Sequence, residues 1–329
     1  MTEKSVENSP ELEEDSILEA RVEPALSGQR LDQVAATLFP EFSRSRLQGW
    51  IRDGNLTVDG HSAKAKDKML GGELLHLEVV VEEHDHWEAE PVDLDIVYED
   101  DQIIVINKPV GLVVHPGAGN HGGTMLNGLL HYCPSLNQVP RAGIVHRIDK
   151  DTSGLLVVAK TRESHLDLVE QLREKSVSRV YLAVVHGVVT AGGTVDQPIG
   201  RHPVHRTRRA VSRSNDAREA VTHYRVLEKF RSHTLVQCEL ETGRTHQIRV
   251  HMTYLGFPLV GDQLYGGRPR IPKGASPELI DFLDHFKRQA LHAWQLGLVH
   301  PATGEEMQWE AGIPEDMQTL IRLLEEDNV

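Results

Sequence analysis

Between Glu82 and Asp101 the chain carries ten acidic residues and no basic one. No apolar core runs through such a stretch, because every buried carboxylate would need its own partner. The run therefore divides the 329 residues into a small unit and a large one, each of domain size. Residues 82–90 are expected to be an acidic linker, with a small domain at 18–81 and a large one at 91–329. Residues 1–17 are polar, acidic and without periodicity, and are expected to form a disordered tail.

The formal net charge of −14 speaks against a nucleic-acid partner, but its distribution reverses that reading. Residues 1–23 hold eight acids and two bases, and residues 305–329 hold eight acids and one base. With the central run, these segments carry −23, which leaves the other 261 residues at +9. Local field decides association, so a basic surface for nucleic acid remains open.

No stretch approaches the roughly 18 apolar residues of a membrane span. The opening MTEKSVENSPELEEDS lacks the apolar centre of a secretory signal. Cys133 and Cys238 form no CxxC pair and read as reduced thiols. The expectation is a cytoplasmic protein with no membrane partner.

In the small unit, Leu31, Val34, Ala35 and Leu38 fall on one face of a helix that Pro40 stops. A second helix begins in SRSRLQGWIRDG, with Ser43 or Ser45 as cap, Leu47, Trp50 and Ile51 as its apolar face, and Gly54 as terminator. NLTVDG and LLHLEVVV read as strands. Seven bases, among them Arg44, Arg46 and Arg52, lie between residues 28 and 68 against five acids. In the large unit, DIVYED, IIVINKP, RVYLAVVHGVV, HTLVQCEL and THQIRVHM read as strands, and residues 124–133 and 164–175 as helices. Strand and helix do not alternate regularly, which favours an α+β fold.

Several motifs lead nowhere. GAGNHG at 117–122 spells GxGxxG, but Pro116 intervenes and no βαβ unit follows, so a Gly-rich loop beside the cleft is expected instead of a dinucleotide site. The nineteen histidines include the pairs His84/His86, His202/His205 and His246/His251, without HExxH or a converging ligand set. GxSxG is absent.

Two clusters carry more. HRIDKDTSGLLVVAK, residues 146–160, sets Asp149 two residues from Arg147 on a turn that enters an apolar strand. A neighbouring cation holds such a carboxylate ionised and oriented. Asp151 offers a second carboxylate, and spacing alone fits a salt-bridged surface turn equally well. In ETGRTHQIRVHM, strand alternation would set Gln247, Arg249 and His251 on one face, where an arginine can pair with a carboxylate. Residues 201–218 hold six arginines, including Arg206, Arg208 and Arg209, and one aspartate. Such a loop suits a phosphate backbone.

HRIDKDTSG, RVYLAVVHG and GRTHQIRVHMxxxGxPLxGDxxYG resemble, in order, the three signatures of the RluA-type pseudouridine synthases. SRSRLQGWIRDGNLTVDG resembles the S4 RNA-binding domain. Ile148 stands where many relatives have leucine, and Phe257 where many have histidine. The resemblance implies a small S4-like domain followed by a catalytic domain on a mixed, mainly antiparallel sheet. It implies isomerisation of uridine in structured RNA, 23S ribosomal RNA and its helix 69 stem-loop in particular, with no need of redox or metal chemistry because atoms and electrons are conserved. No cofactor or metal is expected, and a monomer acting on rRNA or an assembling large subunit is.

The same resemblance implies Asp149, Tyr181 and Arg249 as catalytic residues. Asp149 would attack C1′ or help remove the C2′ proton. It also implies His146, Arg147, Thr152, Arg244 and Gln247 as substrate contacts, and Arg44, Arg46 and Arg52 as phosphate contacts of the S4-like domain. A non-catalytic RNA binder, a synthase acting on a uridine in another rRNA site or in tRNA, and a glycoside hydrolase using Asp151 as second carboxylate are the competing expectations.

Overall fold

The computed structural model describes residues 17–40, 42, 44–78, 87–117, 120–205, 207–214 and 216–328. The acidic tail before residue 17, Ser43, the end of the LLHLEVVV strand, residues 82–86 of the linker, Ala118, Gly119 and Arg206 lie outside them. So does the side chain of Ser45. The chain divides into two compact units, Met1–His86 and Trp87–Val329.

The first unit runs β1 (Ile17–Arg21), α1 (Leu31–Leu38), α2 (Arg44–Asp53), β2 (Leu56–Val58), β3 (His61–Ser62) and β4 (Leu74–Glu78). Its antiparallel sheet has the order β1-β4-β2-β3. Leu31, Val34, Ala35, Leu47, Trp50 and Ile51 bury the facing sides of both helices against Leu56, Leu75 and Leu77. Asp59 and Gly60 both have positive φ, as a two-residue hairpin between β2 and β3 requires. Asp32 is fully buried and gripped by Arg30, Arg44 and Gln48. Burial pushes its carboxyl up, but these bonds win and hold it at about 2.

The second unit contains β5 (Ile96–Glu99), β6 (Ile103–Lys108), α3 (Met125–Tyr132), β7 (Ser153–Ala159), α4 (Arg162–Arg173), β8 (Ser178–His186) and β9 (Gly193–Asp196). It continues through β10 (Ile199–Arg201), β11 (Arg209–Val211), β12 (Val221–Lys229), β13 (His233–Leu240) and α5 (Gln247–Tyr254). It ends with α6 (Pro277–His285), β14 (Leu291–Val299), β15 (Glu306–Glu310) and α7 (Glu315–Glu326).

The main sheet is mixed and mainly antiparallel. Its order is β5-β6-β7-β14-β8-β13-β12-β9, with β15 on β14, and only β7 and β14 run parallel. Alternation along the central strands feeds two cores. Ile104, Ile106, Leu156, Val158, Tyr181 and Ala183 face one side, and Ile103, Val105, Leu155 and Val157 face the other. β7 is buried at every position, so the turn that precedes it is anchored at the centre of the unit.

One expected strand is a helix. Residues 247–254 form α5, not a continuation of alternating THQIRVHM. Ile248, Met252 and Leu255 recur at i, i+4 and i+7 and enter the main core. Gly256, at φ +86°, ends the helix in the left-handed conformation. No helix among the described residues is long and apolar enough to cross a membrane.

Candidate active site

A cleft of about 610 Å³ opens where the turn before β7, the first half of β8, the end of β13 and the start of α5 converge. Asp149, Tyr181 and Arg249 all line it. So do His146, Arg147, Thr152, Arg244 and Gln247.

Asp149 is fixed through its own turn. The Thr152 N–H donates to the Asp149 carbonyl at 3.0 Å, and Gly111 N–H donates to the Lys150 carbonyl at 3.0 Å. Lys108, at the end of β6, is fully buried and spends its ammonium on three carbonyls. They are those of Pro109, Leu112 and Lys150, at 2.7, 2.9 and 2.9 Å. Thr152 is buried, and its hydroxyl accepts from Gln289 at 3.0 Å.

Arg249 Nη1 donates to Asp149 Oδ2 at 2.8 Å. The other edge of the guanidinium bonds Asp262 bidentately, at 2.7 and 2.9 Å. Asp262 is buried and also accepts from the Leu264 and Tyr265 N–H groups. Burial pulls the Arg249 pKa down, but the bonds and charges of Asp262 and Asp149 outweigh it and hold it above its ordinary value. Arg249 is therefore a fixed cation with one side reserved for Asp149. The pairing read from alternation is present even though the element is a helix.

Tyr265 packs against the Arg249 guanidinium, 5.1 Å from ring centroid to Cζ. Its hydroxyl lies 2.9 Å from His246 Nδ1 and accepts from the Arg209 N–H at 2.8 Å. His246 itself sits at φ +60° as the cap of α5, with Nε2 3.8 Å from Asp149 Oδ1. Burial lowers its pKa. Burial also pushes the Tyr181 phenol up to about 12, so it stays neutral.

The expected substrate contacts divide into two kinds. Arg147 is exposed and makes no hydrogen bond or ion pair with the described residues, and Arg244 is exposed with only Nε engaged, by the Glu219 carbonyl. Both remain available at the rim. Gln247 is buried with its amide already spent: Oε1 accepts from Thr242 Oγ1 and the Arg244 N–H, and Nε2 donates to Val221 and Thr222. His146 Nε2 accepts from the Val157 N–H at 3.1 Å, and burial lowers its pKa to about 3. Gln247 and His146 thus hold the cleft wall in place.

Several expectations miss the cleft. Asp151 does not line it, and the carboxylates that do beside Asp149, Glu219 and Glu241, are paired with Lys175, Glu241 with His223 as well. Gly117 and Gly122 do not line it either, and Gly123 N–H instead donates to Glu90. Arg208 and Arg209 lie at the β10–β11 hairpin, outside the cleft lining. In the first unit, Arg44 keeps about half its side chain exposed while binding Asp32. Arg46 lies over Trp50 at 4.8 Å, and Arg52 is largely exposed beside Asp53.

Sequence reasoning missed Lys108, His246, Asp262 and Tyr265. The last two stand in PLVGDQLYG, whose spacing was visible, but their link to Arg249 depends on a turn that no periodicity reveals.

Comparison with known proteins bears on both units. Residues 102–254 match the RNA pseudouridylate synthase family, and residues 29–75 match the S4 domain. A Pseudomonas aeruginosa protein named ribosomal large subunit pseudouridine synthase D is 58% identical over 308 residues, 94% of this chain and 96% of the relative. An Escherichia coli K12 protein of the same name is 55% identical over 311 residues, 94% and 95% of the two chains. Among solved structures, human RNA pseudouridylate synthase domain containing 4 superposes with TM-score 0.55 at 28% identity, covering 70% of this chain and 93% of its own. With a cleft built around Asp149 and Arg249, a mixed sheet beneath it and likeness along nearly its whole length, the chain belongs to the RNA pseudouridylate synthase family and carries an S4 domain in front.

Proposed function

We propose that this enzyme converts uridines of large-subunit ribosomal RNA to pseudouridine, with Asp149 as its catalytic carboxylate. The observation that carries the reading is the carboxylate itself: it faces a cleft of nucleoside size, held at 2.8 Å by an arginine whose other edge is locked to Asp262. An anion fixed in this way needs no reorganisation before it acts at C1′ or on the C2′ proton. The neutral, buried Tyr181 offers a ring against which a uracil can lie. Exposed Arg147 and Arg244 suit the phosphates of a nucleotide swung out of its stack.

The substrate is argued from the relatives. Two proteins that align over 94% of this chain are named for the large ribosomal subunit. The RluA-type resemblance narrows the target to the three uridines of the helix 69 loop of 23S ribosomal RNA, where loop bases cost less to extrude than paired ones. The S4 domain would hold the RNA through Arg44, Arg46 and Arg52, and Arg206, Arg208 and Arg209 would add phosphate contacts. An enzyme of assembling ribosomal subunits works in the cytoplasm.

The test is to map modification. Unmodified 23S rRNA is incubated with the protein and every new pseudouridine is located. Modification confined to the helix 69 loop is the expected result. Modification elsewhere in the rRNA, or only in tRNA, would remove the proposed target and keep the reaction.

A further inference from the structure

Arg179, Arg249 and Arg288 are each more than nine-tenths buried, at 6%, 7% and 8% exposure. Two of these cations are neutralised inside the protein. Arg249 has Asp149 and Asp262, and Arg288 has Asp316. Arg179 forms no ion pair with any described residue. It lines the cleft two residues before Tyr181, on the same face of β8. Only Nη2 is engaged, by the Glu241 carbonyl at 3.1 Å and the Leu240 carbonyl at 3.5 Å. The Glu241 carboxylate is turned away to Lys175 and His223. Nε is buried without a hydrogen-bond partner among the described residues. Gly243 makes room for the guanidinium, since a Cβ there would stand 2.8 Å from Nη1.

Burying a lone cation is costly, and a protein keeps one where an anion comes to meet it. We infer that Arg179 is a catalytic residue that receives the negative charge placed on uracil as the glycosidic bond breaks. The inference rests on the proposed pseudouridine synthase reaction and adds a residue to it. By either route at Asp149, the N1–C1′ bond breaks with its electron pair on N1, spread onto O2 and O4. When C5 then bonds to C1′, the C5 proton is released and N1 takes up a proton, so atoms and electrons balance. A fixed donor aimed at those oxygens lowers the barrier to cleavage.

Phosphate is the other anion that reaches this cleft. The exposed Arg147 and Arg244 are better placed for it, because the backbone of an extruded nucleotide stays at the rim while its base goes in. Arg179 stands in the wall beside Tyr181, and the charges of Arg179 and Asp149 both act on that phenol.

The experiment compares wild type, Arg179→Met and Arg179→Lys in single turnovers on a 23S rRNA stem-loop with uridine tritiated at C5. A parallel RNA carries 5-fluorouridine, whose uracil is the better leaving anion, and its loss is followed by nucleoside chromatography. Arg179→Met is expected to slow tritium release about a hundredfold. Its RNA Kd should stay within about threefold, and its melting temperature should hold or rise. The loss should be at least about tenfold smaller on 5-fluorouridine, because less charge needs stabilising. Arg179→Lys, which keeps the charge, should recover part of the rate and serves if the methionine variant fails to fold. Equal losses on both RNAs with a lowered melting temperature would make Arg179 structural and overturn the inference. An unchanged saturating rate with weaker binding and a salt slope shallower by about one would make it a phosphate contact. Inactive wild type on both RNAs would instead overturn the proposed reaction.

Discussion

Asp262 does not line the cleft, yet it sets what Arg249 can do there. With two of its bonds on Asp262, the guanidinium has one remaining direction, and Asp149 occupies it. Asp262→Asn removes the charge that compensates a buried arginine. It is expected to cost about 3 kcal/mol of unfolding free energy, measured by urea denaturation. The same variant should slow tritium release, because Arg249 is then free to swing from Asp149. At this scale Asp149 and Arg249 were legible because chemistry restricts which residue types can pair. Asp262 and Lys108 were not, since each acts through backbone or side chains that only the folded turns bring near.

Elements carry the next part of the account. The turn bearing Asp149 leads into β7, whose second residue, Gly154, has φ +113°. A Cβ at Gly154 would lie 2.1 Å from the Ala293 carbonyl oxygen, where β7 runs beside β14. Gly154→Ala is therefore expected to cost at least about 3 kcal/mol through strain and overpacking. It should also lower activity beyond what the unfolded fraction explains, and denaturation with a rate at matched folded protein checks both. The error over α5 belongs here too. THQIRVHM offers eight residues in which Ile248 and Val250 alternate with polar neighbours, as in a strand. The helical period appears only when Met252, Leu255 and the terminating Gly256 are counted together. Arg249 could be matched to Asp149 on either element, so the pairing did not depend on the right one.

At the scale of the molecule, buried neutral histidines set the response to acid. His186 and His233 are buried, 3.1 Å apart between ring nitrogens. Burial lowers them to about 3 and about 4. Unfolded histidine takes a proton near pH 6.5, so between that value and about pH 4 the unfolded chain binds protons that the native one refuses. Stability should be greatest above pH 7, fall as pH drops through 6.5, and be lower by about 6 kcal/mol near pH 4, about 3 from each histidine. His186→Gln should flatten that slope in a pH series of urea midpoints. Asp32, held at about 2, adds a further loss only below its unfolded value of 3.8. The division into two units was legible from the acidic run, although its second half folds as β5, with Leu94 and Ile96 packed on the main core. The residue boundaries of the expected domains stay a proposal. The pairing of His186 with His233 was not legible, since it depends on the register between β8 and β13.

The most direct test of the central claim is tritium release from C5-labelled 23S rRNA by wild type and Asp149→Asn at matched RNA occupancy. The substitution keeps the side chain's shape and removes its charge. The account predicts release by wild type and a loss of at least about a thousandfold in the variant, with RNA binding retained. Release by Asp149→Asn at a rate near that of wild type would contradict it and require another group to act at the sugar.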